Sequence, residues 1–333
     1  MTGPARAAHL VCAIWLIFLS LAPEAAADEN SPLLGPIRSR NHHPLFAILL
    51  TPPPEKAALS KGFSWEIGVN HSNIFAMGSE GDWYIHMDKE VTELDISLRA
   101  PAFGGSVEIG AEVSGLSTSA GFMDPYVRSY HEAIGVEGYD WQDHFPDNSY
   151  VDKLYLMNDV FWLGEGNKFG AGDATFWIKG LALEGDGYRI SWQGLAQAPT
   201  GPWRKGLGSG GWEAGARVLA DIEYMGAGVY LSLGAYLPGD LKGQNKQFAM
   251  TPMYTAFSGF EWTLSGGWAF LAQLTFTSSP MRGAGFRYFE KPWMDFTAGF
   301  KKAFGRGNTV NIGLSENLNQ TAPDFTIHIS VSM

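Results

Sequence analysis

The sequence predicts an all-β chain: a transmembrane antiparallel β-barrel of about 12 strands, with short periplasmic turns and longer extracellular loops. Three observations carry this reading. Glycine is 41 of 333 residues, aromatics are 14% and charged residues only 17%. Apolar and polar residues alternate with period two in many short segments. The last of these, Asp324–Met333, runs to the chain end, with Phe325, Ile327, Ile329, Val331 and Met333 set against Thr326, His328, Ser330 and Ser332. The composition excludes other classes. It is too apolar for a disordered chain, and after residue 22 no apolar run approaches the ~18 residues of a membrane helix. A net charge of −11 argues against nucleic acid as a partner.

The elements follow in order. Residues 1–27 read as a signal peptide: Arg6, an apolar core over 10–22, then Ala25-Ala26-Ala27 before Asp28. The one cysteine, Cys12, lies inside it, so the mature chain has no disulfide. Residues 28–61 hold Thr51-Pro52-Pro53-Pro54, which cannot be a central strand. They are expected to form a periplasmic N-terminal arm, or a plug entering the mouth of the barrel.

The barrel is expected over 62–333. Its outward columns start with Trp65-Ile67-Val69, Leu94-Ile96-Leu98, Val107-Ile109-Ala111-Val113 and Phe176-Ile178. Next come Ile190-Trp192, Ala214-Ala216-Val218-Ala220 and Val229-Leu231-Leu233-Ala235. Tyr254-Ala256-Phe260-Trp262, Trp268-Phe270-Ala272-Leu274-Phe276, Phe296-Ala298-Phe300 and Val310-Ile312-Leu314 precede the last strand. Short Gly-rich connections (101–105, 184–187, 223–226, 265–267 and 304–308) alternate with longer polar ones (78–89, 119–171, 200–210, 238–248, 280–291 and 319–323). That is the pattern of a barrel with both termini in the periplasm. Val151–Tyr155 and Val160–Leu163 would raise the count to 14. Neither reaches the ~9–11 residues of a spanning strand, so they are read as a hairpin within the long external loop 119–171. In the same loop Phe122, Tyr126, Tyr130 and Ile134, at spacing four, predict an amphipathic helix. It is either a lid or a helix packed on the rim.

Several motifs resemble those of a Gram-negative outer-membrane β-barrel family of unknown function. They are Arg38-Ser39-Arg40-Asn41…Pro44, Gly121-Phe122-Met123-Asp124, Gly170-Ala171-Gly172-Asp173, Ala198-Pro199-Thr200-Gly201 and Leu207-Gly208-Ser209-Gly210. The last three are also similar, more loosely, to segments of barrels that transport aromatic compounds. The resemblance implies a fold and an outer-membrane location, and it carries over no substrate and no site residue.

The residues themselves place no catalytic, cofactor or metal site. In Asn70-His71-Ser72-Asn73 the adjacent imidazole and hydroxyl point to opposite faces of a strand, so they cannot form a base and nucleophile pair. His42, His43, His86, His131, His144 and His328 lack the spacing of a metal site. The loop acids Asp82, Asp88, Glu132, Asp140, Asp143 and Asp147 show no ordered calcium-loop pattern and read as a solvated rim. The alternation turns Glu66, Glu93, Asp95, Glu108, Glu112, Glu213, Asp221, Glu261 and Asp295 into the lumen, with Arg99, Lys179, Arg189 and Arg217. This mixed-charge ladder with acidic excess fits a narrow, cation-tolerant conduit or a plugged barrel held by ion pairs. The expected function is passive passage of small solutes, apolar ones among them, gated by 28–61 or by 119–171. A closed interaction barrel and a lipid-acting enzyme are the alternatives. The expected partners are outer-membrane lipids and lipopolysaccharide, and barrel-assembly machinery reading the C-terminal strand 324–333.

Overall fold

Twelve antiparallel strands close on themselves in the computed structural model. It describes residues 33–43, 45–134, 146–164, 167–304, 307–319, 323 and 325–333; the expected leader, Asp140, Asp143 and His144 lie outside them. The strands are β1 (Ser64–Glu80), β2 (Trp83–Ala102), β3 (Val107–Ser119), β4 (Ala174–Gly185), β5 (Tyr188–Ala198) and β6 (Glu213–Tyr224). The circuit continues through β7 (Ala227–Leu237), β8 (Met253–Leu264), β9 (Trp268–Thr277), β10 (Trp293–Phe304), β11 (Asn308–Asn317) and β12 (Phe325–Ser332). β12 pairs with β1, Glu66 opposite Ser332 and Asn73 opposite Phe325, which closes the twelve-strand circuit. Short turns lie at the end of the barrel where β1 begins and β12 finishes; the long connections lie at the other. Among the described residues no helix is long and apolar enough to cross a membrane.

The two faces of the wall sort as the alternation requires. Ile67, Leu94, Ile109, Val113, Trp192, Val218, Leu231, Leu233, Phe300 and Ile312 stay exposed on the outside, while Glu93, Glu108, Glu112, Glu213, Glu261 and Asp295 are buried inside. Exposed aromatics gather at both ends: Phe103, Tyr188, Tyr224, Trp268 and Phe304 by the short turns, Phe169, Trp212 and Tyr254 by the long loops. Two such girdles mark the boundaries of a lipid-facing band.

The segment 78–89, expected as a loop, is mostly strand. β1 and β2 run for 17 and 20 residues and turn at Gly81-Asp82. Above the band the wall's outer face meets protein and water, so Tyr84, His86 and Asp88 can point outward while Trp83, Ile85 and Met87 fill the interior. The hairpin Val151–Leu156/Asp159–Gly164 extends this projection by pairing Leu156 with Trp83 and Val151 with Asp88. Lys168–Ala171, counted as loop from sequence, pairs with Gly115–Thr118 of β3.

The helix is α1 (Asp124–Ile134). It does not cross the mouth of the barrel. Glu90, on the outer face of β2, accepts hydrogen bonds from the Phe122 and Met123 N–H groups at its start. Phe122 stacks on His71, with rings 5.3 Å apart, and Tyr130 meets Phe325. The helix therefore lies against the outside of β12, β1 and β2, and is not a lid.

Candidate functional site

Three of the motifs meet at one point. Gly172-Asp173 breaks the β3–β4 pairing, and Asp173 accepts from the Gly201 N–H, the Ser209 N–H and the Ser209 hydroxyl, at 2.7, 2.7 and 3.0 Å. Thr200 donates to the Gly172 carbonyl and accepts from the Ala174 N–H. A Cβ on Gly208 would lie 2.9 Å from the Gly201 backbone, so the two chains approach where only glycine fits. The knot fixes the 200–210 loop and seats Leu207 in an apolar group with Ile74, Val91 and Leu116.

The lumen is occupied by the chain's own N-terminal segment. Residues 33–43 climb from the short-turn end, 45–50 reach the long-loop end, and 51–61 descend again. Prolines 52–54 keep the segment out of the sheet, so its backbone groups need partners elsewhere. Wall side chains supply them. On the rising limb, Glu261 accepts from the Leu34 and Gly35 N–H groups at 2.7 and 2.8 Å. Gln273 accepts from Ile37 N–H and donates to Ile37 carbonyl. Lys301 donates to the carbonyls of Gly35 and Pro36 at 3.1 and 2.9 Å. On the falling limb, Glu213 accepts from Leu50 N–H, and Arg217 donates to the carbonyls of Pro52 and Pro53. Asp221 accepts from Ala57 N–H, and Glu108 from Ser60 N–H.

Charge decides the middle. The wall alone carries an excess of buried carboxylates, which low-dielectric surroundings penalise. The segment brings the missing cations. Arg38 pairs with Glu112 and Glu66, and Arg40 with Glu112 and Glu93. Glu55 reverses the arrangement, lying 3.0 Å from Arg217 and 4.0 Å from Lys179, which also pairs with Glu108 at 3.1 Å. Arg-Ser-Arg thus sets both guanidinium groups on the wall's acidic column. Of the lumenal residues expected from sequence, Arg189 sits at the mouth, half-exposed and paired with Glu184. Lys301 was missed, although alternation with Phe300 turns it inward.

His71 and Ser72 do lie on opposite faces. Ser72 instead meets His42 of the segment, its Oγ 2.7 Å from Nδ1, while His42 Nε2 is 2.9 Å from Glu93. Ser72 is fully buried and also bonded to Thr326, so this hydroxyl–imidazole–carboxylate line ties the segment to the wall. His43 shares a 2.6 Å hydrogen bond with Tyr288. Burial, aided by the Lys89 ammonium, holds its imidazole down to about 3. His328 bonds Ser315 and Asn70 inside the wall. Among the described residues no cluster of three or more His, Cys, Asp or Glu could hold a metal ion.

Apolar packing closes the long-loop end. Leu45, Phe46, Ile48, Leu49 and Leu50 join Trp83, Ile85, Phe161, Met281, Phe286 and Trp293 in one buried cluster. Full burial of each such side chain stabilises by ~1.5–3 kcal/mol. Mid-lumen, beside Arg38, Glu55 and Arg217, the free space shrinks to about 20 Å³. The short-turn end opens into two cavities of about 720 and 320 Å³, both lined by residues 58–61.

Several solved structures are similar in fold. An outer membrane channel from Pseudomonas putida F1 is 13% identical, with a TM-score of 0.58 over 85% of this chain and 98% of that one; at that identity the likeness is one of fold. The KdgM porin in complex with disordered oligogalacturonate is 8% identical, with a TM-score of 0.42 over 81% of this chain and 97% of that one. The toluene transporter TbuX of Ralstonia pickettii is 10% identical, with a TM-score of 0.38 over 83% and 90%. No curated protein matches the chain. Residues 12–333 match the model of a family described as protein of unknown function (DUF3187), and the chain belongs to that family.

Proposed function

We propose that this chain is a passive channel or transporter for small solutes in the bacterial outer membrane, held closed by its own N-terminal segment. One observation carries the reading. The lumen is filled by a segment that is not part of the wall and that, among the described residues, is held there by side-chain contacts. Among the described residues no strand pairing joins the segment to the wall, so it can leave without disturbing the sheet. Two cavities lead to it from the short-turn side, which this reading makes periplasmic. The apolar cluster at the other end suits hydrophobic solutes better than sugars or ions. The leader at 1–27, contact with lipopolysaccharide, and recognition of strand 324–333 by assembly machinery belong to the same proposal.

Conductance across planar bilayers tests it. The full chain conducts rarely, and a variant lacking residues 33–61 conducts steadily. No conductance from a correctly folded deletion variant refutes the channel reading. That result favours the second one, a closed barrel presenting its external loops, which the filled mid-lumen supports.

A further inference from the structure

The girdle of exposed aromatics at the long-loop end has a gap. Over β1 and β2 the outward positions at that level are Asn73, His71, Thr92 and Glu90, polar groups that lipid would leave unsatisfied. α1 covers this gap. Met123 and Val127 are buried against the wall, and Glu90 and Asn73 find partners at the start of the helix.

The two flanks of α1 differ in chemistry. Residues four apart share a stripe. Phe122, Tyr126 and Tyr130 form one stripe, 58%, 70% and 38% exposed. Asp124, Arg128 and Glu132 form another, two residues out of phase and so on the far side. The contacts orient the stripes. β1 climbs from the short turns to the long loops, so His71 lies nearer the lipid-facing band than Asn73. Phe122 stacks on His71, while Asp124 bonds the higher Asn73 and the Asn148 N–H. Arg128 pairs with Asp147 of the long loop. Tyr130 rests on Phe325, directly above Ile327 in the lipid-facing column of β12.

We infer that α1 is an interfacial helix that lies in the outer leaflet, with Phe122, Tyr126 and Tyr130 as its lipid anchors. The occupant of its exposed aromatic flank is lipid at the headgroup–acyl boundary, because that flank continues the lipid-facing columns of β1 and β12. Aromatic side chains favour that depth, and an amphipathic helix with one apolar and one charged flank settles there. This inference rests on the membrane reading above.

Single cysteines carrying a bimane label test it in a Cys12→Ser background, in vesicles of phosphatidylethanolamine and phosphatidylglycerol. The positions are Tyr126→Cys, Glu132→Cys on the opposite flank, and Leu231→Cys on the outer face of β7. The label at 126 is expected to emit at shorter wavelength and to be quenched by brominated lipid but not by iodide; the label at 132 behaves in reverse. Phe122→Cys repeats the reading should Tyr126→Cys misfold. Iodide quenching at 126 with lipid quenching at 231 overturns the inference while leaving the barrel in the membrane. Excimer emission from pyrene at 126 makes the occupant a second copy of the chain and also overturns it. A label at 231 that brominated lipid cannot quench overturns the membrane reading, and this one with it.

Discussion

Replacing Arg38 with Met asks how firmly the segment is held. Arg38 is 8% exposed and bridges Glu66, 3.6 Å away, and Glu112. Methionine keeps much of the volume and removes the charge, leaving two buried carboxylates to share the remaining cations. Breaking one side of a buried pair costs about 3–5 kcal/mol; with Arg40 still on Glu112, the lower figure is the better guide. Only the docked state suffers, since the released segment is hydrated. About 3 kcal/mol corresponds to roughly a hundredfold shift between docked and released forms. The assay is the open probability of single channels in planar bilayers, with gel mobility before and after heating as the check on barrel folding. Arg38→Met is expected to raise the open probability about a hundredfold by that conversion, and adding Glu112→Gln to recover part of the loss. A folded Arg38→Met protein that stays as closed as the wild type refutes the electrostatic account of docking.

Three further outcomes follow from the geometry. Asp173→Ala strands the donors of Gly201 and Ser209 at a cost of about 2–3 kcal/mol, so trypsin should cut at Arg204 and Lys205 much faster; an unchanged rate speaks against the knot. Gly110→Ala puts a Cβ 2.1 Å from the Trp177 ring and 2.8 Å from the Leu98 carbonyl, whereas Gly62→Ala meets nothing within 4 Å. The first should lose about 1–3 kcal/mol in denaturant unfolding and the second should not; equal midpoints would contradict the packing. His43 is neutral when docked and protonates near 6.5 when free. Its folded value is depressed, so its contribution is complete above pH 6.5 and fades as pH falls towards 3. Acidification to pH 5 should therefore promote opening, less so in His43→Gln; identical pH profiles would remove His43 from the balance.

Period two made the wall legible, because inside and outside are different solvents for successive residues. It failed where that contrast ends. Beyond the lipid band, Tyr84, His86 and Asp88 face protein or water, so strand and loop look alike from composition. Inside the lumen, the surplus of Glu and Asp signalled that cations had to come from somewhere. Only the fold says that Arg38 and Arg40 provide them, for pairing across 74 residues leaves no local pattern. Ser72 shows the same limit. Its sequence neighbour His71 faces the other way, and the imidazole it meets, His42, sits in another element. Phe122–Ile134 was readable as a helix from its spacing. Its place outside the wall follows from Glu90 and Asn73, polar residues on a face that composition alone would assign to lipid.

Both ends of the lumenal segment emerge beside the short turns, Leu33 at one cavity and residues 58–61 at both. The segment is therefore a doubled-over bight and not a thread passed through a ring. Neither chain terminus has to travel along the bore for it to enter or leave. During biogenesis the sheet can close around the bight, or the bight can be pushed in after closure, without forming a knot. In the proposed gating, release and return would be one local motion about residues 58–64, which leaves β1 and its seam with β12 intact.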